Sequence, residues 1–93
     1  MVVLVNVELS GALATVAGEK RLTLEATNIR LALDALAAKK GEDFRGRLFD
    51  HQGRPRRFIN IYVNGRDYRF IDRLDTKLQD GDVVSIIPAV SGG

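Results

Sequence analysis

The sequence predicts an α+β fold, a mixed sheet packed on one main helix. Three observations carry this reading: alternating apolar runs near both ends of the chain, one amphipathic helical stretch between them, and an Asn-Gly pair inside a β-branched and aromatic segment. At 93 residues the chain has room for one core. Residues 1–88 are expected to form that domain, with 89–93 as a flexible C-terminal tail. The composition, 45% hydrophobic and 28% charged, is that of an ordinary globular protein.

From Val2 to Leu9 the side chains alternate, with Val3, Val5, Val7 and Leu9 on one face and Leu4, Asn6 and Glu8 on the other. That is the period of a strand with one face buried. Gly11 and Gly18 mark the stretch SGALATVAG as a turn, after which Lys20, Leu22, Leu24 and Ala26 alternate with Arg21, Thr23 and Glu25. The two runs read as a hairpin. Thr27 and Asn28 can cap a helix whose Ile29, Ala32, Leu33 and Leu36 share one face. Lys39 and Lys40 stand at its C-terminal end, where the helix dipole favours cations, and Gly41 closes it.

The segment EDFRGRLFDHQGRPRR has several breakers and no sustained period. It predicts a long connection with room for a helical turn, anchored under the fold by Phe44, Leu48 and Phe49. RFINIYVNGRDYRF then carries a hairpin signal, because Asn64-Gly65 suits positive φ at both turn positions. If Ile59, Ile61 and Val63 face inward, Phe58 and Tyr62 alternate onto the open face of the sheet, either as an apolar patch of the kind that marks a docking surface or as residues the long connection folds over. Asp80-Gly81-Asp82 forms another turn, and VVSIIP is a last strand stopped by Pro88, which cannot donate to a ladder. With the first and last strands as neighbours, their parallel pairing requires a right-handed crossover through the helix. This is the ubiquitin-like β-grasp arrangement.

Several function classes fall away. The chain has no cysteine, which removes disulfides, thiolate metal sites and cysteine nucleophiles. His51 is the sole histidine and has no clustered ligand beside it, so it reads as a solvated loop residue. With 14 basic and 12 acidic residues the net charge is +2, too low to point to nucleic acid or an anionic membrane. Arg54, Arg56 and Arg57, near Phe58 and Tyr62, read instead as solvated or as facing acidic groups on a protein partner. The N-terminal MVVLVNVEL lacks a basic leader and is far shorter than a membrane span, and the expected location is the cytoplasm.

The chain ends in PAVSGG. Small side chains extend freely past Pro88, and two glycines can enter a slot too narrow for any other residue. The carboxylate of Gly93 is a poor electrophile until it is converted to a mixed anhydride such as an acyl-adenylate. A Gly-Gly dipeptide alone also fits a frayed terminus.

The residues upstream add to this. The turn Asp80-Gly81-Asp82, the strand Val83-Val84-Ser85-Ile86-Ile87, Pro88 and a small-residue tail on Gly92-Gly93 resemble the ThiS/MoaD family of ubiquitin-like sulfur carriers. Within that family the chain is most similar to CysO-type carriers of thiocarboxylate-dependent cysteine biosynthesis, through Arg57 to Asn64, Asp67, Arg69-Phe70 and Pro88-Ala89-Val90. The resemblance covers the C-terminal third to half strongly and the N-terminal half only in pattern. Ser91 stands where alanine would serve equally, and the long SGALATVAG end matches less well.

The resemblance implies a recycled co-substrate, not an enzyme, that binds no cofactor itself. An E1-like adenylyltransferase/sulfurtransferase using ATP and magnesium would adenylate Gly93, with Gly92 beside it, and a sulfur donor would leave a thiocarboxylate. A pyridoxal-phosphate-dependent cysteine synthase would accept the sulfur, and a zinc metalloprotease would release cysteine. The implied partner-binding residues are Phe58, Tyr62, Phe70, Pro88, Ala89, Val90 and Ser91. Carriers serving molybdopterin, thiazole or tRNA thiolation share the tail. A protein modifier that joins Gly93 to lysines is the alternative, although the uncharged AVSGG tail lacks the arginine that ubiquitin carries near its glycines. A plain binding module also fits the fold.

Overall fold

The computed structural model describes residues 2–89. Strands β1 (Leu4–Leu9), β2 (Arg21–Glu25), β3 (Ile59–Val63), β4 (Arg66–Asp67) and β5 (Val83–Pro88) form one mixed sheet in the order β2-β1-β5-β3-β4. β1 and β5 run parallel at its centre, with Asn6 opposite Val83 and Leu9 opposite Ile86. All other pairings are antiparallel, including β1 with β2 and β5 with β3. This is the β-grasp arrangement that the strand pattern predicts.

The inward residues are those the alternation names. Val5, Val7, Leu9, Ile59, Ile61, Val63, Val84 and Ile86 are buried from the sheet side. Helix α2 (Ile29–Lys40) closes over them with Ile29, Ala32, Leu33, Leu36 and Ala37. Its start is fixed by Asn28, whose side-chain oxygen accepts the Leu31 N–H at 2.8 Å, one of the donors a helix otherwise leaves without a partner. Its end is fixed by Gly41 at φ 97°, whose N–H bonds the Ala37 carbonyl.

Two expectations are corrected. The Ser10–Gly18 stretch, read as a hairpin turn, is a helix, α1 (Gly11–Ala17), so β1 and β2 pair as expected but across a helical connection. Leu13, Val16 and Ala17 lie at helical spacing, Leu13 is fully buried, and Gly18 at φ 79° closes the helix by bonding the Ala14 carbonyl. The two glycines mark the ends of an element rather than its absence. The long connection after Gly41 likewise contains α3 (Glu42–Leu48), two turns that drive Phe44 and Leu48 into the core, with Phe49 just behind. The single main helix therefore has two short companions. Past the Asn64-Gly65 turn, β4 lasts only two residues and the chain turns into two 3-10 turns, Tyr68–Phe70 and Arg73–Asp75, so Phe70 does not lie in a strand.

The end of the sheet that carries the turns is tied by polar groups. Asn64 (φ 50°) donates to the Asp82 carboxylate at 3.0 Å and accepts the Val83 N–H at 2.9 Å. Asp82 also accepts the Gln79 N–H at 2.8 Å, and Asp80 accepts the Leu4 N–H at 2.9 Å. Both aspartates are turn-formers, as their spacing around Gly81 predicts.

Phe44 is wholly buried, whereas Phe70 is 79% exposed. Phe44→Ala is expected to cost about 3–5 kcal/mol in denaturant unfolding, and Phe70→Ala less than about 0.5 kcal/mol. Similar losses for the two would contradict the placement of the loop anchors.

Candidate functional site at the root of the C-terminal segment

β5 is flanked on both sides, by β1 and β3, so its last residues emerge from the middle of the sheet rather than from an edge. Pro88 lies opposite Ile59, and one more bond follows: the Ala89 N–H donates to the Phe58 carbonyl at 2.6 Å. Ala89, assigned to the tail by sequence, is thus tied to the body through its backbone. On the other side Gly11 (φ 59°) begins α1 close to Pro88, and a Cβ at Gly11 would meet the proline ring at 3.5 Å. The Ser10 hydroxyl oxygen is buried here without a hydrogen-bond partner among the described residues. The sequence marks Gly11 only as a turn residue and does not single out Ser10, because the approach of Gly11 to Pro88 arises only when α1 packs beside β5.

The open face of the sheet divides into two parts. On the β2 side it is polar: Arg21 faces Glu8 at 3.8 Å and the Thr23 hydroxyl donates to Asn6 at 3.3 Å. Near the root it turns apolar, with Ile87 42% exposed and Phe58 46% exposed. Tyr62 lies opposite Ser85 and is half-buried, its face of β3 opposite to that of Ile61. Two of the expected partner-binding aromatics, Phe58 and Tyr62, therefore belong to β3 and the turn leading into it, and Pro88 and Ala89 adjoin Phe58. Phe70 is exposed but stands apart on a 3-10 turn beyond β4. Val90, Ser91, Gly92 and Gly93 lie outside the described residues. Ile87 is the exposed apolar residue that the sequence reading left out, though its alternation with buried Ile86 was the available signal.

Asp67 holds the Phe70 turn. It accepts the Arg69 N–H at 2.9 Å and pairs with the Arg69 guanidinium at 2.7 Å. These bonds hold its carboxyl below the ordinary carboxylate range. His51 is exposed, and no group of three His, Cys, Asp or Glu residues able to hold a metal occurs among the described residues. No described helix is long and apolar enough to cross a membrane.

A β-grasp body with a root tied at the centre of its sheet and small residues beyond it defines the class of ubiquitin-like carrier and modifier proteins. The chain belongs to the ThiS family, whose sequence profile matches residues 7–93. A protein of Archaeoglobus fulgidus described as a sulfur carrier is 33% identical over 76 residues, 82% of this chain and 85% of that protein. The sulfur carrier protein CysO of Mycobacterium tuberculosis is 56% identical over 41 residues, 44% of each chain. Small archaeal modifier protein 3 of Haloferax volcanii is 32% identical over 80 residues, covering 84% of this chain and 86% of that one. Among solved structures, small archaeal modifier protein 1 of Methanosarcina acetivorans superposes with a TM-score of 0.88 at 30% identity, covering 100% of this chain and 99% of that chain. A chain of the Amycolatopsis orientalis BexX/CysO complex gives 0.83 at 33% identity, covering 96% and 99%. These relatives are named as carriers and modifiers rather than as catalysts.

Because the folded carboxyl of Asp67 titrates lower than an unfolded one, its contribution to stability is complete above the unfolded carboxylate range, about pH 5, and is lost as pH falls through the lower folded value. Thermal unfolding across that range should show a smaller loss for Asp67→Asn than for the wild type. Equal slopes would remove the Asp67–Arg69 pair from the account.

Proposed function

We propose that this chain is a sulfur carrier that works through the carboxylate of Gly93. The observation that carries the proposal is the tied root: β5 leaves the centre of the sheet beside an apolar patch, and only small residues follow Ala89. A partner can dock on Phe58, Ile87 and Tyr62 while the thin segment enters its active site. The body stays outside.

In the first step the Gly93 carboxylate attacks the α-phosphorus of ATP on an E1-like partner, and pyrophosphate leaves. Sulfide equivalents from a donor then displace AMP from the acyl-adenylate, leaving a thiocarboxylate. Magnesium and ATP belong to that partner. We place the product in cysteine biosynthesis, on the strength of the 56% identity with CysO over 41 residues. There the acceptor is a pyridoxal-phosphate-dependent cysteine synthase, and a zinc metalloprotease frees cysteine and restores Gly93. The chain is then consumed and regenerated in each cycle as a co-substrate. The BexX/CysO complex supports the expectation that such a body seats on a partner protein. A cytoplasmic location accords with those partners.

A second reading is favoured by the small archaeal modifier relatives: transfer of the activated Gly93 acyl group to a lysine amine, with loss of AMP and formation of an isopeptide bond. Both begin at the same acyl-adenylate.

Intact-mass measurement after incubation with ATP, magnesium, a sulfide source and an E1-like enzyme from the same cell should show a gain equal to exchanging one oxygen for sulfur. Deletion of Gly93 should abolish it. An unchanged mass with active enzyme would defeat the carrier reading, and Gly-Gly remnants on lysines of cellular proteins would install the modifier in its place.

A further inference from the structure

Away from the root, a cleft of about 650 Å³ lies between the start of α2, the loop from Phe49 to Phe58 and the 3-10 turns. Arg30, Arg54, Arg57 and Arg73 line it against Asp50 and Asp75. An adjoining cleft of about 500 Å³ shares Arg30 and Asp50 and sets Arg45 and Arg56 against Asp34 and Glu42, so it adds no net charge. The first cleft, four arginines against two aspartates, is a basic track on a chain whose overall charge is only +2. The side chains of Arg30, Arg57 and Arg73 have no hydrogen-bond or ion-pair partner among the described residues, whereas Arg54 faces Asp50 at 3.9 Å and Arg56 donates to the Gly46 carbonyl.

Arg73 is held at φ 51°, the left-handed region that few residues other than glycine occupy. Such backbone persists where the surroundings impose it and concentrates at recognition sites. Tyr68 and Leu74, both half-buried, and Pro55 supply the apolar wall between the guanidinium groups. Burial pushes the Tyr68 hydroxyl up, so it remains a protonated donor at neutral pH.

We propose that this track is a docking site for an extended acidic segment of a protein partner, with its Asp and Glu carboxylates paired to Arg30, Arg57 and Arg73. Guanidinium forks match carboxylates two bonds at a time. Side chains of an extended peptide can be spaced to avoid Asp50 and Asp75, which a continuous phosphate backbone cannot do as readily. Tyr68 is half-buried in the wall and the exposed phenylalanines Phe58 and Phe70 do not line the track, so no run of exposed rings for stacking successive bases accompanies the charge. The site is also joined to the root: Arg57 directly precedes Phe58, whose carbonyl holds Ala89. The proposal is independent of whether Gly93 delivers sulfur or forms an isopeptide bond.

The test is a nuclear magnetic resonance titration of the isotope-labelled full chain with a short poly-glutamate peptide at low salt. Shifts should concentrate at Arg30, Arg57, Tyr68 and Arg73. Arg57→Gln and Arg73→Gln should each weaken binding about two- to fivefold, the size expected for an exposed ion pair. Arg21→Gln removes the same charge at the β2 edge and should leave binding unchanged, and each variant's spectrum reports its folding. The proposal is overturned by an absence of shifts in the track, by equal weakening in Arg21→Gln, or by tighter binding of an oligouridine there.

Discussion

The parallel pairing of β1 with β5 is the constraint on which the rest of the molecule depends. Two parallel strands cannot be joined by a tight turn, so everything between them in sequence must cross over and return. The crossing material, chiefly α2 and α3, covers one face of the sheet, and β3 and β4 then extend it on the far side of β5. Placing the last strand at the centre gives it two flanking ladders. Its exit point is consequently set by the middle of the sheet rather than by an edge.

The two ends of β5 are held by different physics. At Val83 the hold is polar and local: Asn64, Asp80 and Asp82 bond backbone groups of the neighbouring strand ends. At Pro88 the hold runs through the backbone, with the Phe58 carbonyl accepting the N–H of the next residue and Gly11 lying near the proline ring. Polar side chains at the first end leave the apolar residues at the second free for contact with something else. Phe58 and Ile87 are not needed by the core, which is complete without them.

Much of this was legible in the sequence, for reasons that differ by element. The inward faces of β1, β3 and β5 follow from period-two alternation, which survives because each strand has one dry face. Asn28 as a cap and Asn64-Gly65 as a turn were legible because each residue type suits its backbone. α1 was hidden, since a seven-residue helix bounded by glycines presents breakers more visibly than its single Leu13, Val16, Ala17 face. α3 was hidden for the same reason of length, although its anchors Phe44, Leu48 and Phe49 were visible as isolated large apolar residues. At the root, Pro88 and the glycines were legible by composition. The contacts of Ser10, Gly11 and the Phe58 carbonyl were not, because they join residues far apart in sequence. The arginine track mixes both cases: Arg54, Arg56 and Arg57 cluster in sequence, while Arg30 and Arg73 reach them only through folding.

The bond from Ala89 to Phe58 also acts as a depth gauge. Gly93 lies four residue steps beyond Ala89, and a fully extended chain spans at most about 3.3–3.6 Å per residue, or roughly 14 Å in all. An enzyme that acts on Gly93 while resting against Phe58 and Ile87 must therefore keep its reactive centre within that distance of its own surface. A residue added or removed between Ala89 and Gly93 would change that reach by about 3.3–3.6 Å.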